Sequence, residues 1–200
     1  MQFQQLLQNQ EIAQKIAIYK TQLLEFNQNY NLIGKSTIED FDNRHIIDCA
    51  QIYDHIPDLN ANIADLGSGA GLPGIILAIL GVKNITLFEK SYRKSQFLSQ
   101  ICQKIDLKNV NLQQNINDYH DQKFDLIISR AFGNLNKILD LSPNLLQKNG
   151  QLLLLKGQKL PEEIKQAQKN WQFNYKTSPS QTSQDGQIIL LTPLFIHSAT

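Results

Sequence analysis

The chain predicts an α/β fold: a doubly wound, largely parallel sheet with an antiparallel edge. Three observations carry that expectation. From Asn62 onward, short apolar β-branched runs alternate with amphipathic stretches, the pattern of repeated strand–helix units. Phe124-Asp125-Leu126-Ile127-Ile128-Ser129-Arg130 has a near-continuous apolar centre, as a strand covered on both faces requires. The last two strand-like runs, Trp171 to Tyr175 and Gln187 to Thr192, are joined by a polar loop of roughly ten residues. So short a link holds no crossover helix, which forces that pair antiparallel.

Before the sheet, residues 1–28 read as one helix, because Phe3, Leu6, Leu7, Ile12, Ile16, Tyr19 and Leu23 recur at three- and four-residue steps. Ser36-Thr37-Ile38-Glu39 has the spacing of a capping box, which predicts a second helix running to His55. Residues 1–60 are therefore expected to form a helical extension, and residues 61–200 the sheet-bearing domain. Within the latter, Ile63 to Leu66, Ile85 to Glu89, Val110 to Gln113, Phe124 to Arg130 and Gln151 to Lys156 are the first five strands. Helices are expected over Leu72 to Leu80, Ser91 to Ile105 and Leu135 to Leu146, the last stopped by Lys148-Asn149-Gly150, and after Pro161.

The totals narrow the function classes. Two hundred residues suit one domain with a modest extension, and 42% hydrophobic with 18% charged residues is ordinary for a globular protein. The longest nearly apolar run, Leu72 to Val82, is far short of the ~18 residues of a membrane span. The N-terminal stretch has no signal-peptide pattern, so a cytoplasmic location is expected. Cys49 and Cys102 lack any metal or disulfide spacing, and His55, His120 and His197 suggest no site, so no metal is expected. A net charge of +1 argues against a strongly basic coating protein and leaves room for a local basic face. Sixteen of the nineteen basic residues are Lys, so Arg44, Arg93 and Arg130 either mark places where a planar guanidinium is wanted or are chance surface positions.

The stretch Ile63-Ala64-Asp65-Leu66-Gly67-Ser68-Gly69-Ala70-Gly71-Leu72-Pro73-Gly74 organises the rest. It reads as a strand, a glycine-rich turn and an immediate helix, a cofactor loop. Gly69-x-Gly71-x-x-Gly74 fits the dinucleotide fingerprint, with Glu89 at the distance of a ribose-binding acid. In the other register, Asp65-x-Gly67-x-Gly69-x-Gly71 is the acid-x-G-x-G-x-G pattern of S-adenosylmethionine (SAM) methyltransferases, and Glu89 keeps the same ribose role. Chemistry favours the second. A pyrophosphate wants bare N–H groups at a helix N-terminus, and Asp65 would repel it. SAM carries an ammonium and a sulfonium, for which a carboxylate is attractive.

Read together, Asn31-Leu32, Arg44-His45-Ile46-Ile47-Asp48, the loop with its Gly71-Leu72-Pro73-Gly74 ending, Ser129-Arg130-Ala131 and Leu155-Lys156-Gly157 resemble the bacterial small-subunit rRNA methyltransferase G family, also called glucose-inhibited division protein B. The resemblance implies a Rossmann-like class I methyltransferase fold with a seven-stranded sheet whose final strand is antiparallel. It implies SAM as cofactor, 16S rRNA or the small ribosomal subunit as partner, and N7 methylation of one guanine in the decoding-region loop. By motif, it carries cofactor contacts onto Gly67, Leu72, Ile116, Asn117 and Arg130, beside Asp65, Gly69, Gly71 and Glu89. Two positions depart from the family pattern: Ile33 where a threonine is usual after Asn-Leu, and Gln187 where a basic residue is expected.

Guanine N7 carries a lone pair and no proton, so no acid or base residue is required. Arg130, at the carboxyl end of a buried strand, is expected to orient the SAM carboxylate or an rRNA phosphate. Arg44 and His45 are candidates to fold over the pocket or meet RNA. Arg93, Lys94 and Lys156, with Lys90 and Lys159, are candidates for a basic face. The protein is expected to be monomeric. A non-catalytic SAM- or RNA-binding module and an NAD-dependent oxidoreductase remain the rival readings.

Overall fold

The computed structural model describes residues 1–117, 119 and 122–194, so His120 and His197 lie outside the described residues. Seven strands form one sheet: β1 (Asn62–Leu66), β2 (Asn84–Phe88), β3 (Val110–Gln113), β4 (Phe124–Arg130), β5 (Leu146–Lys156), β6 (Phe173–Pro179) and β7 (Gln187–Pro193). Their order is β3-β2-β1-β4-β5-β7-β6. The first five are mutually parallel; β7 runs antiparallel to both β5 and β6. The expected edge is present, with β7 the reversed strand.

Strand parity sorts the core onto two faces. Ile63, Ile85, Leu87, Leu126, Ile128, Leu153, Leu155 and Ile188 pack on one face with Ile75, Ile76 and Leu77 and with Tyr19, Leu23, Phe41 and Ile52 from the N-terminal segment. Ala64, Leu66, Ile127, Leu152, Leu154, Ile189 and Leu191 pack on the other with Leu135, Ile138, Leu139, Leu160 and Ile164. The helices above the first face include α2 (Gln10–Tyr30), α4 (Gly74–Ile79) and α5 (Tyr92–Lys104); those on the second are α6 (Leu135–Leu145) and α7 (Leu160–Ala167). The N-terminal helices thus share one apolar cluster with the sheet.

Several elements differ from expectation for local reasons. The first helix is two, α1 (Gln2–Leu7) and α2, because the Asn9 side chain accepts from Glu11 and Ile12 N–H at 3.0 and 3.2 Å and starts a new helix. Ser36 caps nothing. Lys35–Thr37 is a single 3₁₀ turn, and the following helical run begins at Asp42. That run is π over Asp42–Ile47, α over Asp48–Ala50 (α3) and 3₁₀ over Gln51–His55. β5 starts at Leu146 rather than Gln151. There Gly150 lies so close to β4 that a Cβ would sit 3.1 Å from the Phe124 carbonyl, and the chain bulges against that strand, Leu146 pairing with Phe124 and Gln151 with Leu126.

The sheet order reverses between β1 and β4. Open α/β sheets bind ligands in the crevice outside the carboxyl ends at such a switch point. Asp65 near the end of β1 and Arg130 at the end of β4 both fall there.

Candidate active site

Gly67, Gly69 and Gly71 take φ values of 70°, 58° and 89°, the left-handed region that favours glycine. At Gly67 a Cβ would also collide with the Phe132 ring. The loop is held from three directions. Gly67 and Ser68 N–H donate to the Phe88 carbonyl at 3.0 and 3.1 Å. The buried Tyr19 hydroxyl, from α2, donates to the Ala70 carbonyl at 2.9 Å. Glu89 accepts from Gly69 N–H at 2.9 Å through one oxygen and from Ser91 N–H at 2.7 Å through the other.

Asp65 has the same strand parity as Ile63, which turns it under α4. It is completely buried, and one oxygen accepts from Gly74 N–H at 3.0 Å, capping α4. The other oxygen, Oδ1, has no hydrogen-bond partner. Burial pushes this carboxyl up to about 7; the bond from Gly74, the nearby Ser68 hydroxyl (which donates to the Asp65 main-chain carbonyl at 3.0 Å) and the charge of Arg130 offset only part of that cost, and Glu89 adds to it. An orphaned buried acceptor is costly, and either a proton or a donor cation removes that cost. A pyrophosphate would meet a helix N-terminus already occupied by a carboxylate. Glu89 keeps free lone pairs on both oxygens, enough for a pair of sugar hydroxyls. These residues fit SAM and disfavour a dinucleotide.

Above the loop opens a cleft of about 590 Å³, within the range of small-molecule sites. Its far wall is a polar hub that links distant parts of the chain. Arg130 Nη1 donates to the Arg44 carbonyl at 2.9 Å and meets Asp48 Oδ2 at 3.3 Å. Its Nη2 lies 3.1 Å from His45 Nδ1. A guanidinium can only donate, so Nδ1 is the acceptor and the ring proton sits on Nε2. His45 Nε2 then donates to Thr37 Oγ1 at 2.8 Å, and Thr37 passes its own proton to the Gly34 carbonyl at 2.7 Å. Burial and the adjacent Arg130 hold His45 neutral, with its pKa lowered to about 4. Asp48 Oδ1 accepts from Gln51 Nε2 at 3.0 Å and from the Thr182 hydroxyl at 2.7 Å, tying the β6–β7 loop to the helical run. The Gln51 side chain also bonds Ser180 and Gln181 N–H of that loop, at 3.0 and 2.9 Å. Immediately after Arg130, Ala131 takes φ 59°, a left-handed value uncommon outside glycine.

Gly67, Gly69, Leu72, Arg44, His45, Lys94, Lys156 and Arg130 all line this cleft. Asp65 and Glu89 lie behind its glycine-loop wall. Gly71 is within the loop, its Cβ position filled by Ile75 and Leu98. Lys156 is not free to reach outward: its ammonium donates to the Gly133 carbonyl and to Glu163, each at 2.7 Å. Arg93 is exposed beside the cleft and lies over Tyr30. Ile116 and Asn117 line a different cavity, of about 580 Å³, together with Tyr119, Lys123 and Leu141. Asp48, Gln51, Thr37, Thr182 and Tyr19 escaped sequence reasoning as site residues. Only Asp48 had a signal, its place in Arg44-His45-x-x-Asp48.

Comparison with known proteins decides the family. A family model described as rRNA small subunit methyltransferase G matches residues 12–189. The chain belongs to the rRNA small subunit methyltransferase G family. A ribosomal RNA small subunit methyltransferase G of Rickettsia bellii (strain OSU 85-389) is 35% identical over 184 residues, covering 92% of this chain and 95% of that protein. The Mycoplasma capricolum subsp. capricolum protein of the same name is 37% identical, covering 88% and 79%. Among solved structures, the glycopeptide N-methyltransferase MtfA complexed with S-adenosyl-L-homocysteine has a TM-score of 0.63 at 10% identity, over 74% of this chain and 89% of that one. M. jannaschii TYW2 in complex with AdoMet has a TM-score of 0.55 at 18% identity, over 80% and 76%. At such identities the likeness is one of fold, and the fold is the class I methyltransferase fold expected from the sequence. Among the described residues, no helix is long and apolar enough to cross a membrane.

Proposed function

We propose that the protein transfers the methyl group of SAM to N7 of a single guanine in the decoding-region loop of 16S rRNA, acting on the rRNA or the small ribosomal subunit, in the cytoplasm and as a monomer. The observation that carries this reading is the orphaned Asp65 Oδ1 beneath a glycine loop, in a chain of the rRNA small subunit methyltransferase G family. When bound, SAM supplies an electrophilic methyl group on its sulfonium. Asp65 would hold the ammonium, Glu89 the ribose hydroxyls, and Arg130 the carboxylate or an rRNA phosphate. Gly67, Gly69 and Gly71 give the backbone its close approach; the family resemblance assigns Leu72 to the cofactor, and Ile116 and Asn117 as well, although these two line a separate cavity.

The cleft itself favours an acceptor that loses no proton. Of the bases that line it, His45 is neutral with both nitrogens engaged, Asp48 accepts three bonds, and Glu163 is paired with Lys156. Such a set supports alkylation of a bare lone pair by proximity and in-line orientation. An exocyclic amine would need a proton acceptor. Arg44, Arg93 and Lys94 are assigned to rRNA, and Lys156 to holding the cleft wall.

The test is transfer of label from tritiated SAM to small-subunit rRNA, with the product nucleoside identified after digestion. Label confined to 7-methylguanosine at one position is expected. Label at an exocyclic amine, in protein, or in no RNA at all rejects the reading, the last in favour of a non-catalytic binding module.

A further inference from the structure

Tyr30 and Tyr92 are two of the few large apolar side chains left exposed, at 43% and 66%. Tyr30 is rigid rather than loose. Its ring packs on Phe26 at 4.6 Å between centroids, Phe26 packs on Phe97 at 5.2 Å, and Phe97 on Tyr19 at 6.4 Å. Tyr19 in turn bonds the glycine loop at Ala70. An aromatic ladder therefore runs from the cofactor loop to the surface. Its outer end is covered by the Arg93 guanidinium, 5.4 Å from the Tyr30 centroid.

The ladder's outer end is continuous with the cleft. Leu32 and Ile33, just beyond Tyr30, and Lys94, just beyond Arg93, all line it. Lys90, Arg93 and Lys94 put three positive charges within five residues around the exposed Tyr92. Planar groups held in place beside cationic ones suit one class of partner. Unpaired RNA bases stack on aromatic rings and on Arg planes, while lysines take the backbone phosphates. A double helix cannot use such a surface, because its base faces are already stacked.

We propose that Tyr30, Tyr92 and Arg93 form a stacking shelf for an unpaired base of the single-stranded RNA that feeds the cleft. This rests on the rRNA reading above. Tyr30 fixes the guanidinium plane and Arg93 and Tyr92 present the faces; the packing of Tyr30 on Phe26 and against Arg93 lowers the ordering entropy of that part of the shelf, and the Tyr92 hydroxyl accepts from Gln96 Nε2 at 3.0 Å.

The shelf is tested on the full chain by kcat/KM for unmethylated small-subunit rRNA and, separately, by anisotropy binding of a labelled oligoadenylate at fixed salt. Arg93→Ala and Tyr92→Ala are expected to weaken both by about 5- to 150-fold. SAM affinity should stay within about twofold, which controls for folding. Arg93→Lys should fail to restore binding, because it keeps the charge and loses the plane. Full rescue by lysine would assign Arg93 to phosphate alone, and unchanged oligoadenylate binding in the alanine variants would remove the shelf. If wild-type protein labels no rRNA while the oligonucleotide results hold, the function fails and the shelf stands.

Discussion

Asp65 and Asp48 reach the cleft from different parts of the chain, one from β1 and the other from the N-terminal helical run, and they differ in how their oxygens are used. Asp48 is satisfied: Gln51 and Thr182 donate to one oxygen and Arg130 to the other. Asp65 is half-satisfied, with Gly74 N–H on one oxygen and nothing on the other. A buried acceptor without a protein partner is one that a ligand, an ion or a water can complete; among the described residues Asn136 Oδ1 is a second such acceptor, on α6 and away from the cleft lining. The carboxylate at the centre of the hub is fully bonded and shapes the wall, whereas the one under the loop keeps an unpaired oxygen.

Breaking the comparison at Asp65 should have the largest effect. Asp65→Ala confuses two roles, since it also uncaps α4. Asp65→Asn keeps an acceptor for Gly74 N–H but replaces Oδ1 by an amide NH₂, so it removes the charge and puts a donor where the unpaired acceptor was. Charge-assisted bonds are worth about 1.5–3 kcal/mol, so SAM affinity is expected to fall by about 10- to 150-fold by calorimetry, with the fold retained. Wild-type affinity in Asp65→Asn would show that the ammonium binds elsewhere.

The same difference predicts a pH signature. Because folding raises Asp65 from 3.8 to about 7, the native state binds the extra proton in that window. Its contribution to apo stability is therefore full below the lower value and is lost as pH rises toward the upper one. His45 has the opposite sign: depressed from 6.5 to about 4, it contributes fully above the higher value and loses that contribution as pH falls. An ammonium partner needs the Asp65 carboxylate ionised, so SAM affinity should rise about tenfold between roughly pH 6 and roughly pH 7.5 and then level off. Asp65→Asn should flatten that profile while leaving the acid-side loss from His45 visible in thermal melts. A flat wild-type profile would remove Asp65 as the titrating partner.

The two carboxylates also differ in how legible they were. Asp65 sits in a local pattern, two residues before the first of three alternating glycines, and its strand is a buried apolar run. Local spacing is enough to find such a site. The role of Asp48 depends on Thr182 and Arg130, which lie 134 and 82 positions away. No periodicity encodes a contact of that range, so the hub stayed hidden although Arg44, His45 and Asp48 were seen as a motif. The strands were readable for the same reason as the loop: each is short and apolar enough to declare itself. The misread elements failed where a side chain chose a different partner. Asn9 capped a second helix inside an unbroken apolar period, and Thr37 turned to Gly34 and His45 in place of a cap at Ser36. Lys156 looked like a basic contact until Glu163 and the Gly133 carbonyl enclosed it.

Perturbing the fully bonded side should cost stability more than cofactor affinity. Asp48→Asn places an amide NH₂ toward donors whichever way it is turned. Facing Arg130 it opposes a guanidinium, and facing Gln51 and Thr182 it opposes an amide, though the Thr182 hydroxyl can reverse and accept. The expected loss is about 1–3 kcal/mol by denaturant unfolding, with SAM affinity reduced less than in Asp65→Asn. Thr182→Val gives the smallest effect and the cleanest reading. It removes one donor from Asp48 and leaves Gln51 and Arg130 in place, so it frees the β6–β7 loop on one side only. Stability should drop by about 0.5–1.5 kcal/mol, and SAM affinity should not change. Because Ser180, Thr182 and Ser183 line the cleft mouth, kcat/KM for rRNA should fall while the cofactor site is untouched. Equal losses in SAM and rRNA binding would mean that loop and cofactor site are one unit, and the distinction between the fully bonded carboxylate and the one with an unpaired oxygen would not hold.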